Sequence, residues 1–187
     1  MACTLTTGRK VPCKSAFGGI KTVYFANFAQ NPGVDGITGV TIATDSKIGT
    51  IVNGSPAPVW FEYDVKGNSS LETTVTSSRE NGTTFYTQTL NLTLTFLDAK
   101  TQAELQLLAV SRPYIVVSDY YGNNFLCGFE NGMECTGGTV VTGAAAGDLS
   151  GFTLTFEGME ESAPFFVTAA PTASALQIVP TPVGVPA

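Results

Sequence analysis

TTFYTQTLNLTLTFLDAKTQAELQLLAVS, residues 83–111, decides the fold. In its first half, Gln88, Leu90, Leu92, Leu94 and Phe96 alternate with Thr87, Thr89, Asn91, Thr93 and Thr95. Successive strand side chains point to opposite faces, so this stretch has one apolar side and one threonine side. The second half changes to helical spacing, with Ala103, Leu107 and Val110 four and three residues apart and Leu108 beside them. Asp98 is placed to cap a helix beginning near Ala99, and Pro113 stops it. The strand is about fifteen residues long, roughly three times the usual length.

Its partner lies just upstream. PVWFEYDVKGNSSLETTVTSSRENG (58–82) is a second long extended segment, expected to break at KGNSS and to turn through Asn81-Gly82 into a tight hairpin. Pairing sets Leu71 and Val75 beside the leucines, and Glu72, Thr74 and Thr76 beside the threonines. A straight strand of about fifteen residues rises about 50 Å, whereas a globule of this size is roughly 40 Å across. The hairpin therefore curls around its own body or projects from it. There is no proline between Leu71 and Phe96 and few charges, so its edges are unprotected against pairing with other chains. Two readings follow. Copies side by side would close a barrel and remove the edges, or the polar face of a self-contained sandwich simply meets solvent. On the first reading Thr93→Pro is expected to block assembly before it destroys the fold.

The remaining segments extend this pattern. IKTVYFANF (20–28) reads as a buried strand and GVTIATDSKIGTIVN as two short strands around Asp45-Ser46. YIVVSDYYGNNFLC reads as a hairpin turning at DYYGNN, and strands are expected near 133–142 and 151–158. The fold class is mainly β: an antiparallel sandwich or barrel with one packed helix and a long hairpin. One domain over 1–168, with an N-terminal arm at 1–19, precedes a Pro/Ala-rich extended tail at 169–187.

Of 187 residues, 43% are hydrophobic and 13% charged. Threonine, β-branched yet wettable, fills the difference and favours strands. A net charge of −6 opposes groove binding of nucleic acid, which needs a basic footprint, but suits a passage through which DNA slides. No stretch has the length of a membrane span, so no membrane anchor is expected. MACTLTTGRKVPCKS lacks a secretory apolar core, which leads us to expect folding in a cytoplasm. The sequons at Asn68 and Asn91 then carry no glycosylation meaning. Cys3, Cys13, Cys127 and Cys135 are open to three readings: free buried thiols, one or two disulfides, or a metal site, the last disfavoured by wide spacing and the absence of histidine.

The lack of histidine also removes Ser-His-Asp and Cys-His catalysis. Glu130, Glu134, Glu157, Glu160, Glu161, Asp119 and Asp148 read as surface acids rather than a glycosidase pair. Arg9, Lys10 and Lys14 form either a basic contact patch or three solvated charges. GAAAGDLSG lacks the Lys-Ser/Thr of a phosphate loop. Trp60 reads as a core or interface anchor. No catalytic, cofactor-binding or metal-binding residue is expected.

Gly128, Asn131 and Gly132, followed by Gly147, Asp148, Gly151 and Phe152, mark turns leading into the last long strand. With these turns, residues 114–167 resemble the C-terminal half of tail tube proteins of tailed bacteriophages, and LTTGRKVPCKSAFGGIKTVYFANF resembles the N-termini of virion structural proteins. The resemblance covers about half the chain. It implies a β-sandwich whose copies form hexameric, stacked rings around a channel for DNA, which is not specifically bound. It also implies other virion proteins as partners and location in the virion tail after assembly in the host cytoplasm. Glu72, Thr74, Thr76, Thr87, Thr89, Asn91, Thr93 and Thr95 become candidates for the lumen or the interface. Rival readings are a head decoration protein, a neck or tail terminator ring, and a carbohydrate-binding sandwich offering Tyr120 and Tyr121.

Overall fold

A computed structural model describes residues 9, 14, 17–29, 36–42, 49–65 and 68–173. The described chain contains β1 (Ile20–Asn27), β2 (Ile37–Ile42), β3 (Gly49–Asn53), β4 (Trp60–Asp64), β5 (Ser70–Ser78) and β6 (Thr83–Thr95). It continues with α1 (Ala99–Val110), β7 (Pro113–Asp119), β8 (Asn124–Cys127), β9 (Glu134–Val141), β10 (Gly151–Glu160) and β11 (Phe165–Val167). These strands form a seven-stranded sheet, β2-β3-β11-β8-β7-β1-β4, and a four-stranded sheet, β5-β6-β10-β9. All pairs are antiparallel except β3 with β11. The protein is a mainly β sandwich with one helix among the described residues.

The alternation at 87–95 sets the sandwich interior. Leu90, Leu92 and Leu94 of β6 and Phe152 and Phe156 of β10 meet Val23 and Phe25 of β1 and Ile115 and Val117 of β7 in the main core. The seven-stranded sheet is apolar on its far face too. There Tyr24, Trp60, Tyr114, Val116 and Leu126 form a second core, against which Ala170 and Ala173 pack. Residues 169–173 are thus part of the body and not of a free tail. Residues 174–187, most of the expected N-terminal arm, Lys10, Cys3, Cys13 and the Asp45-Ser46 turn lie outside the described residues.

Four expectations change. The segment 58–78 is interrupted before Ser70, as the KGNSS stretch suggests, but its two strands, β4 and β5, belong to different sheets and do not form one hairpin arm. Val65, 3% exposed, enters the core between them, and its N–H donates to the Lys21 carbonyl at 3.0 Å. β6 is 13 residues long, and its tip outruns the sandwich: Val75 has the parity of the core face yet is 59% exposed. Phe96 ends the strand at φ 71, its N–H held by the Ser150 carbonyl, and its ring turns outward as the chain swings into α1. The helix is capped by Asp98, whose carboxylate accepts from the Lys100 and Thr101 N–H groups. However, its buried side carries Leu105 and Leu108; Leu107 and Val110 are 61% and 85% exposed. Apolar residues occupy both sides of this helix, so spacing alone selects the wrong one.

Candidate functional site

The outer face of the four-stranded sheet gathers all the hairpin residues singled out in the sequence. Register pairs Glu72 with Thr89, Thr74 with Thr87 and Thr76 with Phe85 across β5 and β6. On the other side of β6, Thr93 faces Thr153, Asn91 faces Thr155 and Thr89 faces Glu157. β9 then adds Thr139 opposite Thr153 and Glu134 opposite Glu157. Thr95 closes the face opposite Gly151.

The hydroxyls bind one another sideways. Thr155 Oγ1 donates to Asn91 Oδ1 at 3.0 Å, Thr139 and Thr153 share a 2.5 Å hydroxyl contact, and Thr93 Oγ1 donates to the Asn68 carbonyl at 2.9 Å. This bonding satisfies the hydroxyls of Thr93, Thr139, Thr153 and Thr155, while those of Thr74, Thr76, Thr87, Thr89 and Thr95 are left to solvent. One row across the sheet, Glu72-Thr89-Glu157-Glu134, carries carboxylates, and no lysine or arginine lies in these rows among the described residues. Glu134 and Glu157 are directly opposite, a like-charge pairing eased by Arg112 Nε, 3.8 Å from Glu134.

β6 is an interior strand, flanked by β5 and β10. Thr93 is therefore no assembly edge: its N–H is held by Ser69 Oγ at 2.9 Å, between buried Leu92 and Leu94. A proline there attacks the subunit's own sheet. The edge strands of this four-stranded sheet are β5 and β9, and those of the larger sheet are β2 and β4.

The turn motifs prove to be scaffold. Gly128 and Gly132 hold φ 66 and 72 in a reversal whose Glu130 and Asn131 N–H groups both donate, at 2.9 Å, to the Glu160 carboxylate. Asn131 Nδ2 donates to the Met159 carbonyl at 2.8 Å. Gln88 joins the same knot, accepting from the Gly128 N–H and donating to the Ser162 carbonyl. Glu160, read as a surface acid, is buried, at 3% exposure. The signal for this knot was Gln88 itself, the one polar member of the apolar series in β6. In the second motif Asp148 accepts from the Ala144 and Ala145 N–H groups, which hold its carboxyl below the usual range. Gly147 has open space around it, Gly151 touches β6 backbone and Phe152 lies in the core.

Burial pushes the Glu160 carboxyl above its ordinary 4.5; the Asn131 and Glu130 N–H bonds oppose this, nearby Glu130 adds to it and Arg112 subtracts. A carboxyl raised by folding contributes stability that is complete below the unfolded value and lost as pH rises through the folded one. The melting temperature of the natural protein relative to Glu160→Gln is therefore expected to rise as pH is lowered from neutral towards 4.5. Thermal melts across that range check this, and a pH-independent difference contradicts it.

Cys127 is a buried free thiol, pushed up by burial and by Glu160, and Cys135 is also free. Tyr120 packs edge-on against Phe17 at 5.2 Å, leaving Tyr121 as the more exposed of the pair. No family model, curated protein or solved structure matches this chain. No helix among the described residues is long and apolar enough to cross a membrane.

Proposed function

We propose that the protein is a structural subunit of a bacteriophage tail tube, a non-catalytic building block whose copies close rings that stack around a channel for DNA. The observation that carries this reading is the four-stranded sheet: apolar and packed inside, hydroxyl-coated outside, and open at both edges among the described residues. Its pairs are all antiparallel, so β5 and β9 run in opposite directions, and β5 of one copy meets β9 of the next in the same sense as every pair within.

The stagger of the sheet supports closure. Thr74 is the middle of β5, whereas the middle of β9, near Gly137, projects through Thr155 and Asn91 onto Ser70. That offset is about four residues across the three steps from β5 to β9, a little over one residue per step, which falls within the ~35–45° strand tilt of closed barrels. Six copies make about 24 strands and a barrel about 45 Å across between backbones. With the hydroxyl face inward, the row containing Glu72, Glu157 and Glu134 becomes an acidic belt that keeps phosphates from adhering. On this reading the partners are further copies and other virion proteins, and the protein resides in the virion tail after assembly in the host cytoplasm.

Negative-stain imaging of the concentrated protein tests the reading. Rings or tubes with a stain-filled hole support it, and a monomer at every concentration overturns it.

A further inference from the structure

The sandwich has two flanks, and they are closed in different ways. On one flank α1 lies along β9 and inserts Leu105 and Leu108, beside Leu97, into the main core. The same helix brings Glu104 towards Tyr63 of β4, where burial first and this carboxylate second push the phenol up to about 12. The helix thus plugs the gap between the β9 edge of one sheet and the β4 edge of the other. Under β5, at the opposite flank, a groove of about 460 Å³ stays open. Leu71 and Thr73 of β5 line it from one side, and Ile20, Val117, Phe125 and Phe166 of the larger sheet from the other.

We infer that the outer stripe of α1, formed by Ala103, Leu107 and Val110, seats in the β5-side groove of the next copy of this chain. Spacings of four and three place these residues on one side of the helix, opposite Leu105 and Leu108. An apolar stripe with Leu107 and Val110 at 61% and 85% exposure has no partner within the described subunit. The occupant follows from where the two surfaces lie. The stripe stands beside β9, the groove beneath β5, and these are the two edges that meet if rings close as proposed above, the reading on which this contact rests. Strand pairing therefore carries the helix of one copy onto the groove of its neighbour without any further rearrangement. Charge agrees: Lys100 is the single basic residue of α1, and Asp119 is the single charged residue lining the groove.

The contact joins two different surfaces, so it is heterologous and propagates around a ring. One helix seals two sandwiches, its own with Leu105 and Leu108 and the neighbour's with Leu107 and Val110. An amphipathic helix laid in an apolar groove is a general mode of recognition; here both faces of the helix are used.

The test compares the natural protein with Leu107→Glu/Val110→Glu and with Ala163→Trp, which fills the groove from its exposed rim. Both variants are expected to melt within a few degrees of the natural protein. Each is expected to raise the concentration needed for assembly roughly tenfold or more. Mixed in equal amounts, the two are expected to give a discrete heterodimer in analytical ultracentrifugation, because one retains a groove and the other a helix stripe. If both variants assemble like the natural protein, the helix contact is wrong while the ring reading stands. A natural protein that stays monomeric overturns both. Should the helix variant fail to fold, the groove variant alone decides, and unimpaired assembly by it rejects the contact.

Discussion

A Gly151→Ala protein is expected to lose about 3 kcal/mol or more of stability and to accumulate largely as aggregate. Gly151 opens β10 opposite Thr95, and a Cβ built on it would stand 2.0 Å from the Leu94 carbonyl oxygen, with Leu94 C and Thr95 Cα at 3.1 Å. These are backbone atoms of the central strand. They cannot retreat without opening the β6–β10 ladder, and with it the leucine and phenylalanine layer of the main core. The control is Gly137→Ala on β9, which meets nothing within 4 Å. Urea midpoints measure both variants. The second is expected to lie within about 0.5 kcal/mol of the natural protein, as for substitutions free of clashes. Equal midpoints for the two alanines would mean that the close approach at Gly151 does not exist in solution.

Val75→Pro is expected to abolish assembly while leaving the subunit folded. The direction of the ladder explains why. The Thr93 N–H points towards the β5 side, where it meets Ser69, so the odd-numbered residues of β6 exchange bonds with β5. Their partners are even-numbered: Glu72 opposite Thr89 and Thr74 opposite Thr87. Leu71, Thr73, Val75 and Ser77 accordingly direct N–H and carbonyl outward, to the edge that the proposed ring closes. Proline at 75 removes an outward donor and places a ring against any incoming strand, yet it costs no bond to β6. Val75 is not among the residues that line the apolar groove, whose β5 side ends at Thr73, so the substitution leaves the groove lining itself unchanged. Thr74→Pro and Thr93→Pro, by contrast, remove donors used within the subunit and are expected to lower its melting temperature directly. Size-exclusion chromatography with thermal melts separates the outcomes. Normal rings from a folded Val75→Pro protein would exclude β5 as the closing edge.

The faces of β5 and β6 were legible in the sequence because a period of two admits only two faces, and the register kept Glu72, Thr74 and Thr76 with Thr87, Thr89 and Asn91. What the alternation does not encode is where burial stops. Val75 and Phe96 continue the apolar series, but one lies beyond the sandwich and the other follows the strand's end, where the backbone reverses. The helix was legible in its limits, set by Asp98 and Pro113, and not in its orientation, because leucines occupy both sides. β11 is three residues long and carries no period of its own; its place depends on β8 and β3. The glycine and asparagine turns were visible as punctuation. That a buried carboxylate and Gln88 tie one of them down depends on residues 30 and 40 positions away, which no local pattern records.

The second core on the far side of the larger sheet gives the molecule a built-in optical reporter. Trp60, the chain's sole tryptophan, is 5% exposed there and bridges to Ala173. Its emission is thus sensitive to whether residues 169–173 stay docked, and it is shielded from events on the hydroxyl-coated sheet across the sandwich. A blue-shifted spectrum that persists through association, and reddens only when the 169–173 strap peels away, would let fluorescence distinguish detachment of the strap from dissociation of the assembly.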